Sequence, residues 1–408
     1  MNTFRHLRHY AEALNNCSAC GLCLSSCPAY AWNELTNSPY NSPRSYIAFI
    51  RAWIDGKLPD ESLNVMLQNC IDCDRCKNAC PIGIPVPKII RAARADLGGF
   101  RKSFPAFILR MALGKPRILN NAARAVARLS ELAKFAGLKK QSAALRESIR
   151  FSRKIPAGSA LFFSGCVGLY ALPSIVRASA KIFKSFNIPF YMPAFSCCGA
   201  FENVSGNDGD AMAFIRKNLK ILRESEAGEL ITICPHCLRQ ITEVWPGLPW
   251  LEDDERETAI FYAKKAKDIA AFLLNKPGPE MPAQNFAKAR WHKPCLLTGE
   301  EEKAVLHLLL KSGLQMENRI TECCGNICAG KRHPLWEICF SRGEAGSGKT
   351  LRNRLVRNLW QGNMASRPVP TLTACPGCLA RLDKTGAAGA RTAAHWLELY
   401  ADRLHSAE

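Results

Sequence analysis

The sequence predicts an α+β protein, a helical N-terminal domain followed by two related α/β domains. Three observations carry this expectation. A short cysteine motif occurs twice within residues 1–98, a longer pattern of five cysteines occurs twice within residues 157–408, and a strongly basic stretch, residues 99–156, separates the two systems. The second half divides into residues 157–280 and 281–408, one cysteine pattern in each. With 408 residues, 48% of them hydrophobic, the chain has material for two or three packed cores.

In the first domain, Cys17-Ser-Ala-Cys20-Gly-Leu-Cys23-Leu-Ser-Ser-Cys27-Pro28 recurs as Cys70-Ile-Asp-Cys73-Asp-Arg-Cys76-Lys-Asn-Ala-Cys80-Pro81. Three cysteines at this spacing wrap one corner of a [4Fe–4S] cube, each thiolate on a different iron, while the short spacers keep backbone N–H groups near sulfur. The fourth cysteine, ahead of proline, reaches the other cluster. Cys17, Cys20, Cys23 and Cys80 are therefore expected on one cubane, and Cys70, Cys73, Cys76 and Cys27 on the other. A zinc site, the competing use of clustered cysteines, needs only four ligands and no duplicated run. The first domain thus reads as a two-cluster, ferredoxin-type domain.

Residues 99–156 carry fourteen lysines and arginines against two acids, Glu131 and Glu147. Leu129, Leu132, Ala133 and Ala136 fall at helical spacing, so part of this linker is expected to be amphipathic helix. A solvated helix is the plain reading. Docking on anionic lipid or on an acidic flavoprotein is the functional one.

The second half alternates strand and helix signals. Ala160–Phe163 reads as a buried strand, Ile188–Met192 as a second and Glu229–Ile233 as a third. The helix after the first strand places Leu172, Ile175, Val176, Ile182, Phe183 and Phe186 on one face. In the second copy a helix is expected near Glu301–Lys311, ended by Gly313, and a strand near Pro370–Thr373. Cys166, Cys197-Cys198-Gly199 and Cys234-Pro-His-Cys237 recur as Cys295, Cys323-Cys324-Gly325 and Cys375-Pro-Gly-Cys378. Each group falls just past the C-terminal end of a strand, where open α/β sheets place ligands. The second copy has 15 extra residues between its second and third groups. Five thiolates exceed the need of a cubane and suggest an opened or bridged cluster. A zinc ion held by four of the five is the alternative.

Taken in order along nearly the whole chain, these groups resemble the cysteine-rich family with two ferredoxin motifs and two "CCG" domains. That family includes the glycolate oxidase iron–sulfur subunit, the C subunit of the anaerobic glycerol-3-phosphate dehydrogenase, and the heterodisulfide reductase D and B subunits. Asn41-Ser-Pro43-Arg44, in place of the family's Gly-Pro-Arg, His292-Lys-Pro294-Cys295 and His395-Trp396-Leu397-Glu398 extend the likeness. The resemblance implies a noncubane [4Fe–4S] cluster on Cys166, Cys197, Cys198, Cys234 and Cys237. It implies another on Cys295, Cys323, Cys324, Cys375 and Cys378. The complete Cys234–Cys237 pair is similar to the heterodisulfide reductases, while His395 to Tyr400 is similar to the glycolate oxidase subunit.

Other signals carry less. Gly343-Glu-Ala-Gly-Ser-Gly348-Lys349-Thr350 matches a P-loop in letters, but the charged Trp336–Arg342 before it does not read as a buried strand, so an accidental match is expected. Cys328 and Cys339 fall outside both groups of five. His236 and His292 stand beside cysteines, where each could tune a cluster by hydrogen bonding or be purely structural. The acidic run Glu252–Glu257 reads as a solvated surface. The formal charge of +20 counts cysteines as neutral; eighteen metal-bound thiolates and four cores would bring it to about +10. A basic surface suits a membrane face, an acidic partner or nucleic acid, and no recognition motif supports the last.

Met1 to Asn16 holds no apolar signal core, and the apolar runs are short, so a cytoplasmic protein is expected, with peripheral contact on the inner face of the membrane as a use for the basic linker. No G-x-G-x-x-G fingerprint follows a strand, so neither flavin nor nicotinamide is expected on this chain, and no catalytic residue is assigned. Substrate oxidation therefore requires an FAD-containing dehydrogenase subunit as partner. The expected role is the iron–sulfur subunit of a flavin-dependent 2-hydroxyacid (glycolate or lactate) dehydrogenase, passing electrons to a quinone or cytochrome-linked acceptor. The alternative is a heterodisulfide-reductase-like subunit that reduces a disulfide at a noncubane cluster.

Overall fold

Proline and serine set the first long helix of the N-terminal region. The computed structural model describes residues 4–31, 40–99, 159–225, 228–279, 287–321, 323–324, 369–382 and 393–405. The basic linker beyond Gly99, the P-loop-like run, Cys328 and Cys339 lie outside the described residues. Among those described, α1 spans Ala11–Asn16, α2 Pro43–Ile54, α3 Asp60–Leu67 and α4 Val86–Asp96. The Ser42 hydroxyl accepts the Ser45 N–H at 3.1 Å and Pro43 takes the first helical position, so α2 begins there. α2 buries Tyr46, Ile47, Ile50 and Trp53, and α4 buries Val86, Ile89, Ile90 and Ala93. Both stripes recur every three to four residues and meet Leu7, Leu14, Leu63 and Leu67 in one core.

The described residues divide into two compact units. One holds those of 1–106, 199–211 and 322–367; the other holds those of 107–198, 212–321 and 368–408. In the first unit the Asp96 carboxylate accepts the N–H groups of His6 and Leu7, each at 2.9 Å, and so pins the N-terminus to the end of α4. Residues 199–211 join the same unit. There the Arg94 guanidinium donates to the Val204 carbonyl at 2.7 Å, and His6 Nδ1 lies 3.3 Å from the Asp208 carboxylate.

The second unit holds two parallel four-stranded sheets with one topology. In the first, β1 (Ala160–Phe163), β2 (Phe190–Tyr191), β3 (Glu229–Thr232) and β4 (Ala266–Asp268) lie in the order β2-β1-β3-β4. In the second, β5 (Ala287–His292), β6 (Leu314–Ile320), β7 (Thr371–Thr373) and β8 (Ala393–His395) lie in the order β6-β5-β7-β8. The repeat read from cysteine spacing is thus a repeat of architecture. The registers agree as well: Thr232 pairs with Asp268, and its counterpart Thr373 with His395. The inner strand β1 is buried along its whole length, as a parallel strand covered on both faces should be.

The helices close the layers. α5 (Pro173–Ser185) buries Ile175, Val176, Ser179, Ile182 and Phe183, and packs on α11 (Trp396–His405) beside the second sheet. Between them in chain order come α6 (Asp208–Arg223), α7 (Asp253–Lys265), α8 (Ile269–Leu274), α9 (Gly299–Lys311) and α10 (Pro376–Leu382). Leu172 is not on the buried stripe of α5: it is the residue before Pro173, which drives it out of helical geometry and makes it the N-cap. β2 is shorter than the expected Ile188–Met192, because Pro189 has no N–H to give the ladder. The acidic run Glu252–Glu257 has a local use, since Glu252 and Glu255 form a capping box and the acids sit at the positive end of α7. α9 starts with a second box, Thr298 with Glu301. The adjacent Glu302 is buried, and burial alone would raise its carboxyl. Hydrogen bonds from Lys293 and Trp291, together with the Arg319 guanidinium, outweigh that and hold it below the usual range, tying α9 to β5 and β6. Among the described residues no helix is long and apolar enough to cross a membrane.

Gly206 has φ +77°, and a Cβ there would come within 2.6 Å of the Arg94 carbonyl carbon and 2.7 Å of the Ala95 nitrogen. Gly206→Ala is therefore expected to destabilise the first unit by about 1–3 kcal/mol, since the clash is with backbone and the conformation itself is strained. Thermal unfolding of anaerobically purified protein reads this; an unchanged midpoint would contradict the packing of residues 199–211 on α4.

Candidate metal centres

Each N-terminal cysteine loop is wound by the same backbone device. Ala19 (φ +55°) and Gly21 (φ +85°) flank Cys20, and Asp72 (φ +55°) and Asp74 (φ +58°) flank Cys73. Left-handed residues alternating with others turn successive N–H groups inward, a concavity suited to anionic sulfur. For Ala19, Asp72 and Asp74 that conformation costs roughly 1–2 kcal/mol each, so something must hold it. The loops gather their thiols accordingly. Cys23 has the thiols of Cys17, Cys20 and Cys80 as neighbours, and Cys76 has those of Cys70, Cys73, Cys27 and Cys23. Burial foremost, then the neighbouring thiols, pushes the Cys76 thiol far up. Burial likewise pushes Cys27 up to about 11 and Cys70 up to about 12. Thiols crowded in this way suit a metal centre, whose binding would displace their protons. A small cleft lies among Cys27, Cys70, Cys73 and Cys76, walled by Tyr46, Ile71, Val86 and Ile90. The donor set, the left-handed loop residues and the apolar wall fit an iron–sulfur cube.

In the second unit the first group of five forms a continuous run of sulfur contacts. Cys166 follows β1, Cys197 and Cys198 follow β2, Cys234 follows β3, and Cys237 sits in the short helix Pro235–Arg239. Cys166 Sγ lies 3.7 Å from Cys197 Sγ; Cys198 contacts Cys197 and Cys237; Cys237 contacts Cys234. Thiol–thiol hydrogen bonding, burial and mutual charge raise Cys166, Cys198 and Cys237, whereas hydrogen bonds from Cys237, Cys375 and His236 lower Cys234. Gly165 (φ +69°) is the hinge into the group: a Cβ there would stand 3.0 Å from Cys237 Sγ. Five buried or half-buried sulfurs at one sheet edge fit a metal cluster; a disulfide pair would use only two of them.

The second group is placed by equivalent elements. Cys295 follows β5, Cys323 and Cys324 follow β6, Cys375 follows β7 and Cys378 lies on α10. Cys323 and Cys324 fall in the first unit; Cys295, Cys375 and Cys378 fall in the second. Within the second unit Cys375 contacts Cys234 and Cys378, and its Sγ lies 3.7 Å from His236 Nδ1, so His236 faces the other repeat. His292 ends β5 with Nδ1 3.2 Å from the Thr373 hydroxyl. Asp268 and His395 occupy equivalent strand ends. Burial first of all pushes Asp268 up to about 8 and His395 down to about 4, so both are uncharged near neutrality.

The sequence reading missed the groups that hold the cysteine backbone. Buried Asn218 on α6 accepts the Ser196 N–H at 2.7 Å and donates to the Cys197 carbonyl at 3.0 Å, while Trp245 Nε1 donates to the Cys198 carbonyl at 3.1 Å. A signal existed: Asn218 interrupts the apolar stripe of Phe214, Ile215, Leu219 and Leu222, where an amide needs a buried partner.

Comparison with known proteins agrees with this geometry. Residues 13–84 match the family described as "4Fe-4S dicluster domain", and residues 160–242 match the family described as "Cysteine-rich domain", or CCG. The chain is 24% identical to the probable glycolate oxidase iron-sulfur subunit of Bacillus subtilis, over 98% of this chain and 95% of that one. It is 23% identical to the glycolate oxidase iron-sulfur subunit of Escherichia coli, over 96% and 94%. It is 21% identical to the D subunit of the dihydromethanophenazine:CoB–CoM heterodisulfide reductase of Methanosarcina mazei, over 70% and 69%.

Asn218→Ala leaves the Ser196 N–H and the Cys197 carbonyl without their buried partner. It is expected to cost about 2–6 kcal/mol, at 1–3 per orphaned group, and to lower iron bound in the second unit while leaving the N-terminal signals intact. Iron analysis with electron paramagnetic resonance on the reconstituted variant measures both; full iron with unchanged spectra would show that the Cys197–Cys198 backbone holds itself.

Proposed function

We propose that this chain is the iron–sulfur electron-transfer subunit of a flavin-dependent 2-hydroxyacid dehydrogenase, acting with an FAD-containing subunit on glycolate or lactate. Its acceptor would be a quinone or a cytochrome-linked carrier. The observation that carries the proposal is the gathering of Cys17, Cys20, Cys23 and Cys80 beside Cys70, Cys73, Cys76 and Cys27, with Cys23 a neighbour of Cys76. End-to-end similarity to two glycolate oxidase iron-sulfur subunits supports the complex. When bound, iron–sulfur clusters take up and return electrons singly, which suits the downstream side of a flavin.

The chain's own residues have three tasks in this reading. The eight N-terminal cysteines hold two cubanes close together, Cys27 and Cys80 each crossing to the partner site. Tyr46, Ile71, Val86 and Ile90 keep water from the inner one. The two groups of five, Cys166, Cys197, Cys198, Cys234 and Cys237, and Cys295, Cys323, Cys324, Cys375 and Cys378, hold two further clusters of noncubane type. Peripheral membrane contact through the basic residues 99–156 would bring the chain to a quinone.

A second reading has its own support. Cys234 of the first repeat contacts Cys375 of the second, so thiols of the two repeats meet, an arrangement suited to disulfide reduction. Two measurements separate the readings. Anaerobic reconstitution is expected to give about 16 iron per chain from four clusters. A value near 8, with zinc making up the difference, would remove the two noncubane sites. Co-purified with its flavoprotein, the chain is expected to link glycolate or lactate oxidation to a quinone analogue. Disulfide reduction by the chain alone, with no hydroxyacid turnover by the complex, would overturn the first reading in favour of the second.

A further inference from the structure

The internal repeat of the N-terminal unit runs past its cysteines. The ninth residue of α2 and the ninth residue of α4 are both arginine, Arg51 and Arg94. Each reaches back to the same two carbonyls of its repeat, that of the leucine three positions before the first cysteine and that of the cysteine itself. Arg51 donates to Leu14 and, at 2.9 Å, to Cys17; Arg94 donates to Leu67 and, at 3.0 Å, to Cys70. Both arginines therefore cap the helix that leads into a cysteine loop.

Their surroundings differ. Arg51 is half-exposed, while Arg94 is 1% exposed. Among the described residues of 4–99 the buried charged side chains are Asp72, Arg91 and Arg94. All three stand by the second loop: Asp72 lies next to Cys73, Arg91 is 3.4 Å from Asp72, and Arg94 bonds Cys70. The ionisable groups that act on Arg94 are Cys70, Asp72, Tyr46 and Arg91. Two buried guanidiniums thus face one buried carboxylate at this loop. The first loop has only the solvent-screened Arg51 in the equivalent place.

We propose that the buried cation Arg94 sets the reduction potential of the cluster held by Cys70, Cys73, Cys76 and Cys27, making that cluster easier to reduce than its apolar pocket alone would allow. The inference rests on the two-cubane assignment above. Reduction adds one electron and hence one negative charge, with no bond made or broken. In a pocket walled by Tyr46, Val86 and Ile90 that charge is poorly solvated, and a fixed positive charge behind a ligand carbonyl offsets the penalty. The half-exposed Arg51 does the same job weakly, because water and salt screen it. Arg94 is a positioning and tuning residue: it donates to the carbonyls of Leu67, Cys70 and Val204.

The test is a dithionite redox titration of the full reconstituted chain, followed by electron paramagnetic resonance. Cys20→Ala, which removes the other N-terminal cluster, serves to assign the signals. In Arg94→Met the reduced-to-oxidised ratio of the inner cluster at a fixed potential is expected to fall at least tenfold, a shift of about 59 mV or more to the negative for one electron. The first cluster should stay where it was. Arg94→Lys should restore much of the shift, because it keeps the charge, and Arg51→Met should move either cluster less. Asp72→Asn provides a variant of opposite sign, with the inner cluster expected to shift positive, and it decides the matter should Arg94→Met fail to fold. Two intact cubane signals with an unmoved potential in Arg94→Met, a lysine variant as negative as the methionine one, or no positive shift in Asp72→Asn would each overturn the proposal. Absence of a second cubane signal in the wild type would instead overturn the cluster assignment beneath it.

Discussion

Crowding sulfur into a low-dielectric interior is the constraint on which the rest of this structure depends. A buried thiolate is costly, and thiolates side by side are worse, so burial pushes the thiols of Cys27, Cys70 and Cys76 up. The same crowding along Cys166, Cys197, Cys198, Cys237 and Cys234 yields sulfur contacts as short as 3.7 Å. A polynuclear metal centre resolves the conflict by replacing protons with iron, and its binding energy becomes folding energy. The strained left-handed residues Ala19, Asp72 and Asp74 follow from the same constraint, since a backbone coiled inward offsets its strain only when it surrounds an anionic guest.

Around the sulfur the chain directs its buried polar groups to carbonyls. Arg51 and Arg94 hold the entry to each N-terminal loop, and Asn218 and Trp245 hold the Cys197–Cys198 backbone. None of these side chains needs to touch metal. Each fixes a peptide plane that would otherwise be free to turn a cysteine away, which is how an outer shell keeps a ligand set in place.

Duplication then shapes the fold. Within the second unit, one order of four parallel strands is used twice, and in each copy cysteines follow the C-terminal ends of strands. The copies are not equal in their polar details. The strand-end position beside the third cysteine group is Asp268 in one and His395 in the other, and His236 of the first copy turns to Cys375 of the second. Two cysteine groups of one pattern are thereby given different surroundings, as are the two N-terminal loops with their half-exposed and buried arginines.

The sequence by itself determined the spacing of the candidate ligand groups. C-x2-C-x2-C-x3-C-P, written twice, leaves little freedom in where four thiols can go, and strand-then-cysteine order puts the later groups at a sheet edge. It also determined the α+β class and the strands Ala160–Phe163 and Glu229–Thr232 to within a residue, because buried parallel strands are continuous apolar runs. Tertiary structure decided what spacing does not encode. The three-residue strands β4 and β8 are too short to show a period and exist through their neighbours' hydrogen bonds. Arg94 reads in sequence as one more solvated cation among fifty-five lysines and arginines. Only when residues 199–211 cover α4, and the ends of α3 and the second cysteine loop turn their carbonyls toward it, does it become a buried charge. The burial of a charged group is settled by segments remote in the chain, and no local pattern of residues records it.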